Sequence, residues 1–315
     1  MADLSDRGQI LLVAGFALAV TFLALAIVVN GAIFTENLAS QGEDTGATGV
    51  IQLRHQVEQS VGRVMAAANE GSSSPVTDIE AGIRHLGTQY SDYAVLGGTN
   101  VSLSPAAVAA DGDYVEDVVP GGTDDFTNAS GDADWSVAES VAGTRNLRVE
   151  VTSAAEDVGD DDVFAVSLNS TGSDASWNLS VGTAGGDPAV RVRTSTGVDR
   201  TCRLSGASYP ADLDVTAATF GGQHCAALAG APLGSSIAAG SSYDVAFANA
   251  DEIEGNYSVV FRTPTLDPAD FGTRGTSAPF TKTAVYALEV ALEVHSPDLQ
   301  YGDDDLRVAP GESDA

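Results

Sequence analysis

Between Arg7 and Glu36 the chain carries no charged residue, and from Ile10 to Phe34 it reads ILLVAGFALAVTFLALAIVVNGAIF. Only Thr21 and Asn30 interrupt it with polar side chains. A helix crosses a bilayer with about 20 apolar residues, whereas a helix on the surface of a soluble domain keeps a polar face. The stretch is therefore predicted to be one continuous membrane-spanning helix standing clear of any folded domain. A cleaved secretory signal has an apolar core of only about 7–15 residues after a positive start. The start here, MADLSDR, sets two aspartates against one arginine. Both features favour a retained anchor.

Arg7-Gly8-Gln9 lies directly against the apolar run, after a six-residue leader. This arrangement resembles the class III signal of archaeal type IV pilin-like proteins, archaellins included. The wider stretch, through Glu36-Asn37-Leu38-Ala39, is similar to a haloarchaeal family of pilin-like membrane proteins. The resemblance covers about 30 of the 315 residues. It implies that a prepilin peptidase cuts between Gly8 and Gln9, leaving an apolar helix that packs with other pilin-like subunits. Two departures are visible. The glutamate of bacterial pilins at mature position five is replaced by Val13, as in archaellins. Gly42, Gly46 and Gly49 fall where pilins usually continue one long helix, and each glycine costs a helix about 1 kcal/mol relative to alanine. A stationary single-pass surface anchor, with its leader intact, is the alternative.

Charge bounds the setting. There are 44 acidic residues against 14 basic ones, and Lys282 is the only lysine. A net charge of −30 opposes compaction at low salt but keeps a chain hydrated where salt screens the repulsion. Such a composition resembles that of a halophilic protein. No basic patch is present to neutralise phosphates, so nucleic acid is excluded as an expected partner, and membrane lipid is the expected one.

Three features put the bulk of the chain outside the cell. Arg7 precedes the apolar run, and no basic residue occurs from Glu36 to Leu53, which by the positive-inside rule leaves the N-terminus in the cytoplasm. Five of ten asparagines begin N-x-[ST] motifs, at Asn100, Asn128, Asn169, Asn178 and Asn256, and read as glycosylation sites of an exported domain. The two cysteines, Cys202 and Cys225, form an even pair expected as a disulfide in an oxidising compartment.

The expected fold class is α+β, with the N-terminal transmembrane helix, a short helical segment and an extracellular β-rich, sandwich-like domain. The boundaries are a leader at 1–8, the pilin-like helix at 9–35, a hinge and helices at 36–90, the β-rich domain at 91–296 and a disordered acidic tail at 297–315. Val50, Leu53, Val57, Val61, Val64 and Ala68 recur at helical spacing. Thr77-Asp78-Ile79-Glu80 has the form of a capping box opening a second, short helix. Alternating or apolar runs at 147–151, 163–168, 177–181, 190–194, 243–248, 257–262 and 285–295 read as strands, the last with a helix as alternative.

No G-x-S-x-G elbow, P-loop, H-E-x-x-H or paired C-x-x-C occurs, so no catalytic, cofactor or metal residue is expected. His55, His85, His224 and His295 are scattered, and the acidic runs Asp111-Gly112-Asp113 and Asp160-Asp161-Asp162 lack the spacing of an EF-hand loop. The expectation is a non-enzymatic surface subunit.

Overall fold

The structure is a computed structural model that describes residues 47–310 apart from 97, 118–123, 233–240, 275–278 and 298. The apolar run at 10–34 and the processing pair Gly8 and Gln9 lie outside the described residues. Within them, two helices come first, α1 (Ala47–Gly71) and α2 (Pro75–Leu96). The strands are β1 (Asn100–Asp117), β2 (Asp124–Asp125), β3 (Trp135–Val141), β4 (Gly143–Ala154), β5 (Ala165–Ser170), β6 (Ser176–Ala184), β7 (Asp187–Thr194), β8 (Asp199–Arg203), β9 (Ala211–Asp214), β10 (Thr219–Phe220), β11 (Gln223–His224), β12 (Tyr243–Ala248), β13 (Ile253–Arg262), β14 (Phe280–Ser296) and β15 (Leu299–Val308).

Nine strands form one antiparallel sheet in the order β11-β10-β9-β4-β13-β1-β14-β15, with β2 also on β13, and six form a second in the order β3-β12-β5-β6-β7-β8. The inward residues of β4, β9 and β13 meet those of β5, β6, β7 and β12 in one core. Its centre is a set of edge-to-face aromatic contacts, Phe126 lying 4.9 Å from Tyr257 and 5.3 Å from Phe164, with Phe247 5.1 Å from Tyr257. A second core joins Val57, Val61, Met65, Ile79 and Ile83 of the helices to Val101 and Leu103 of β1, Leu288–Val294 of β14, and Leu306 and Val308 of β15. Arg148 alternates with the core-facing Leu147 and Val149 and reaches Glu70 at the end of α1 at 3.2 Å. The helices therefore cover the face of the nine-stranded sheet turned away from the six-stranded one.

This corrects the expected fold class. The chain is mostly β, with 50% strand against 21% helix, and among the described residues no helix is long and apolar enough to cross a membrane. The helices are a layer on the large sheet and share its core, not a separate segment preceding a β-domain. The second helix is not short, since its apolar face of Ile79, Ile83, Leu86 and Tyr90 continues to Ala94 along the sheet. It also opens at Pro75, before the Thr77 box, because proline's fixed φ and missing N–H suit a first helical position. The acidic tail is corrected as well. Leu299–Val308 pairs with β14 because Leu306 and Val308 are buried in the helix-side core, while Asp304 and Asp305 are exposed. At 285–295 the strand reading holds, within β14, and the helix alternative does not.

Candidate functional site

The large sheet is irregular where β1 crosses from under the helices into the sandwich. Its register with β14 slips between Pro105 and Ala107, between Val108 and Ala110, and between Ala110 and Asp111. The last slip pairs Ala110 with Ala287 and Asp111 with Val285, so the register of β1 passes over Tyr286. Buried polar side chains replace the missing ladder. The Asn69 amide donates to the Val285 carbonyl at 2.9 Å and accepts from the Val285 N–H at 3.0 Å. The Arg145 guanidinium donates to the Tyr286 carbonyl, and its Cζ lies 5.1 Å from the centre of the Tyr286 ring. Asn69 and Arg145 are both buried. Buried backbone groups almost always find partners, and here the partners come from α1 and β4.

Beside this junction sits Lys282. Its Nζ donates to the Glu70 carbonyl in the last turn of α1 at 2.5 Å, lies 3.8 Å from the Glu116 carboxylate, and stands 4.4 Å from the Tyr114 ring centre. A cation at a helix C-terminus meets the partial negative charge of its free carbonyls. Burial lowers the lysine's pKa and raises that of Glu116.

A cleft of about 520 Å³ opens between the α1–α2 turn and the slipped part of β1. Ser73, Ser74, Thr77, Thr263, Thr283, Asp111 and Asp113 line it. Gly112 lies between the two aspartates because β13 passes too close for a side chain: an added Cβ would stand 2.7 Å from the Phe261 carbonyl oxygen. Asp113 is half-buried, and burial raises its pKa. Its hydroxyls and carboxylates can hydrogen-bond a polar ligand, and among the described residues that line it there is no histidine or cysteine. Among the described residues no three His, Cys, Asp or Glu side chains come together as a metal site.

Cys202 on β8 and Cys225 after β11 are disulfide-bonded, with Cα atoms 5.8 Å apart, inside the range the bond needs. The bond ties the edge of the small sheet to the edge of the large one. Of the sequon asparagines, Asn100 and Asn169 are exposed, and Asn178 and Asn256 are half-buried. Asn128 is buried, and its amide nitrogen donates to Asp132 at 3.0 Å and to Asp270 at 2.7 Å. It serves as a loop brace, so the folded chain does not offer this sequon for modification. The histidines do not converge: His55 meets Glu58 and His85 meets Gln89 on the helices.

The sequence reading missed Asn69, Arg145 and the cleft. The only signal was position: Asn69 follows the apolar stripe of α1 at Ala68, and Arg145 stands at the start of β4 just before its alternating apolar residues. No family model, no curated protein and no solved structure matches this chain.

Proposed function

We propose that the chain is a non-enzymatic, pilin-like cell-surface subunit, held at the membrane by its apolar N-terminal stretch with the folded bulk outside. The observation that carries this reading is the closed Cys202–Cys225 disulfide in a chain that also begins with an uninterrupted apolar run. Disulfides persist in oxidising compartments and are rare in a reducing cytosol. Four of the five sequons at or near the surface support the same exposure. The near-absence of lysine supports a high-salt setting. Arg7-Gly8-Gln9 supports maturation by a prepilin peptidase and assembly with other pilin-like subunits.

Mass spectrometry of the native N-terminus tests the reading. A chain beginning at Gln9, and a Gly8→Trp variant that accumulates with its leader intact, are the expected results. A wild type that keeps Met1 or Ala2, or a variant still matured at Gln9, replaces the subunit with a stationary surface anchor.

A further inference from the structure

The most exposed apolar side chains share one end of the helical layer. Among the described residues, Tyr93 is 82% exposed, Val95 62% and Ile51 55%, and no other large apolar side chain exceeds 40%. Ile51 lies in the second turn of α1, and Tyr93 and Val95 lie in the last turn of α2. The two helices run antiparallel. An added Cβ on Gly82 would stand 2.5 Å from the Val64 side chain, and the Ser60 hydroxyl meets that of Tyr90 at 3.1 Å. Continued to the helix ends, that pairing sets Ile51 level with Tyr93 and Val95. β1 starts and β14 ends beside them, with Asn100 opposite His295. A hollow of about 370 Å³ there brings Val95 together with Asn100, His295 and Pro297.

In a chain of net charge −30, this end is nearly free of acid. α1 has none before Glu58, β1 none before Asp111, and the last two turns of α2 hold only Asp92, while Arg54, His55 and His295 lie close by. The sequence between β14 and β15 adds one acid, Asp298. Tyrosine suits a membrane–water interface, where its ring is buried and its hydroxyl stays wet. At 1.5 Å per residue, Ile51 lies about 6 Å from the start of α1 and Tyr93 about 5 Å from the end of α2. Interfacial helices bury their apolar side to about 5–10 Å.

What covers this end follows from the chain that leads into it. The apolar run closes at Phe34 and α1 opens at Ala47, so 12 residues join the two. Fully extended they reach about 40 Å. With the run in a bilayer, that tether keeps the lipid surface within reach of Ile51, and α1, about 37 Å long, carries the α1–α2 turn away from it. We propose that this end of the helical layer, through Ile51, Tyr93 and Val95, docks on the lipid bilayer that holds the apolar run. The folded domain then has a second, interfacial contact with the membrane. This contact rests on the membrane-anchored reading above and applies while the run is in the bilayer. It is apolar and does not need lipid charge; the repulsion of Glu36, Glu43 and Asp44 in the tether from anionic headgroups is screened by salt. Asn100, which shares the hollow with Val95, is covered by the docked surface and carries no glycan.

The test uses the full chain reconstituted in phosphatidylcholine vesicles, with the photo-crosslinking residue benzoylphenylalanine in place of Tyr93. Illumination is expected to give a chain carrying one lipid, attached within 90–96. The same residue in place of Val198, exposed at the β7–β8 turn on the sandwich side, should give at least tenfold less. Ile51→Ser with Val95→Ser should lower the yield from position 93 at least threefold, with Cys202–Cys225 pairing on a non-reducing peptide map as the check on folding. Equal lipid yields from the two positions, or no lipid product in chains that float with the vesicles, overturn the docking alone. A crosslink to a second copy, or to 10–34 of the same chain, gives the surface to that occupant and overturns it too, as does a glycan on Asn100 of the native protein. Chains that do not float with the vesicles overturn the anchored reading itself.

Discussion

The two faces of the nine-stranded sheet are covered in different ways. On one, aliphatic residues of two helices meet β1, β14 and β15. On the other, a second sheet closes over Phe126, Phe164, Phe247, Tyr257 and Trp135, and a disulfide staples the border. The helix face is built from neighbours close in sequence on its helical side, and the sandwich from partners a hundred residues apart, such as Thr144 and Tyr243, joined at 2.7 Å. Local order alone can prepare the first, while the second needs the whole chain. Yet β1 carries Val101 and Leu103 to the helices and Val115 to the sandwich, and Asn69 and Arg145 bridge the place where it slips. The two faces should therefore unfold together.

Phe126→Ala gives the hardest test of that coupling. Truncating a fully buried phenylalanine costs about 3–5 kcal/mol. Amide hydrogen exchange should speed up in α1 and α2 as well as in β5, β6 and β12. Protection that survives in the helices would break the comparison into two independent units. Asn69→Ala attacks the bridge itself. It strands the Val285 N–H and carbonyl, at a cost of about 3 kcal/mol, and chemical denaturation should show the loss in both layers at one midpoint. Replacing both cysteines by serine should cost roughly 3 kcal/mol. Here the earliest exchange is expected at β8 and β11, which would sharpen the view of the staple as a border device.

The smallest effect has the opposite sign. Asp117 points into the sandwich opposite Tyr257, is buried, and has one carboxylate oxygen without a hydrogen-bond partner among the described residues. Burial, then Asp124 and Asp125, push its pKa up to about 7. A carboxyl that holds its proton more tightly folded than unfolded favours the fold at low pH, and that contribution is lost as pH rises from about 4 to about 7. Asp117→Asn should therefore stabilise the chain at pH 8, on the order of 2 kcal/mol, with the gain fading towards pH 4. Thermal melts of both proteins across that range would decide it; equal gains at every pH would remove the proton from the account.

How legible the fold was depended on how regular each element is. The stripe from Val50 to Ala68 and the alternating runs of β4, β7, β12 and β13 announce themselves because each has one buried face and one wet one. β1, among the longest strands, was missed: Pro105, the alanines and Gly112 break its alternation, and those residues mark its bulges and its close approach to β13. β15 was hidden by composition, since three aspartates outweigh Leu306 and Val308 in any local count. The disulfide was readable because two cysteines allow one pairing. The cleft was not, because its walls are brought together only by the α1–α2 turn and the register slip.

Lys282 has one more consequence. It is the only ε-amine in the chain, and its side chain is only 11% exposed, tucked between the Tyr114 ring, Glu116 and the end of α1. Reagents that acylate amines, and proteases specific for lysine alone, therefore meet a surface with almost nothing to attack while the fold is intact. The α-amino group is the remaining amine. An acylating tag applied to folded protein should mark the first residue of the chain nearly alone, so the molecule carries its own selective handle for reading where its mature sequence begins.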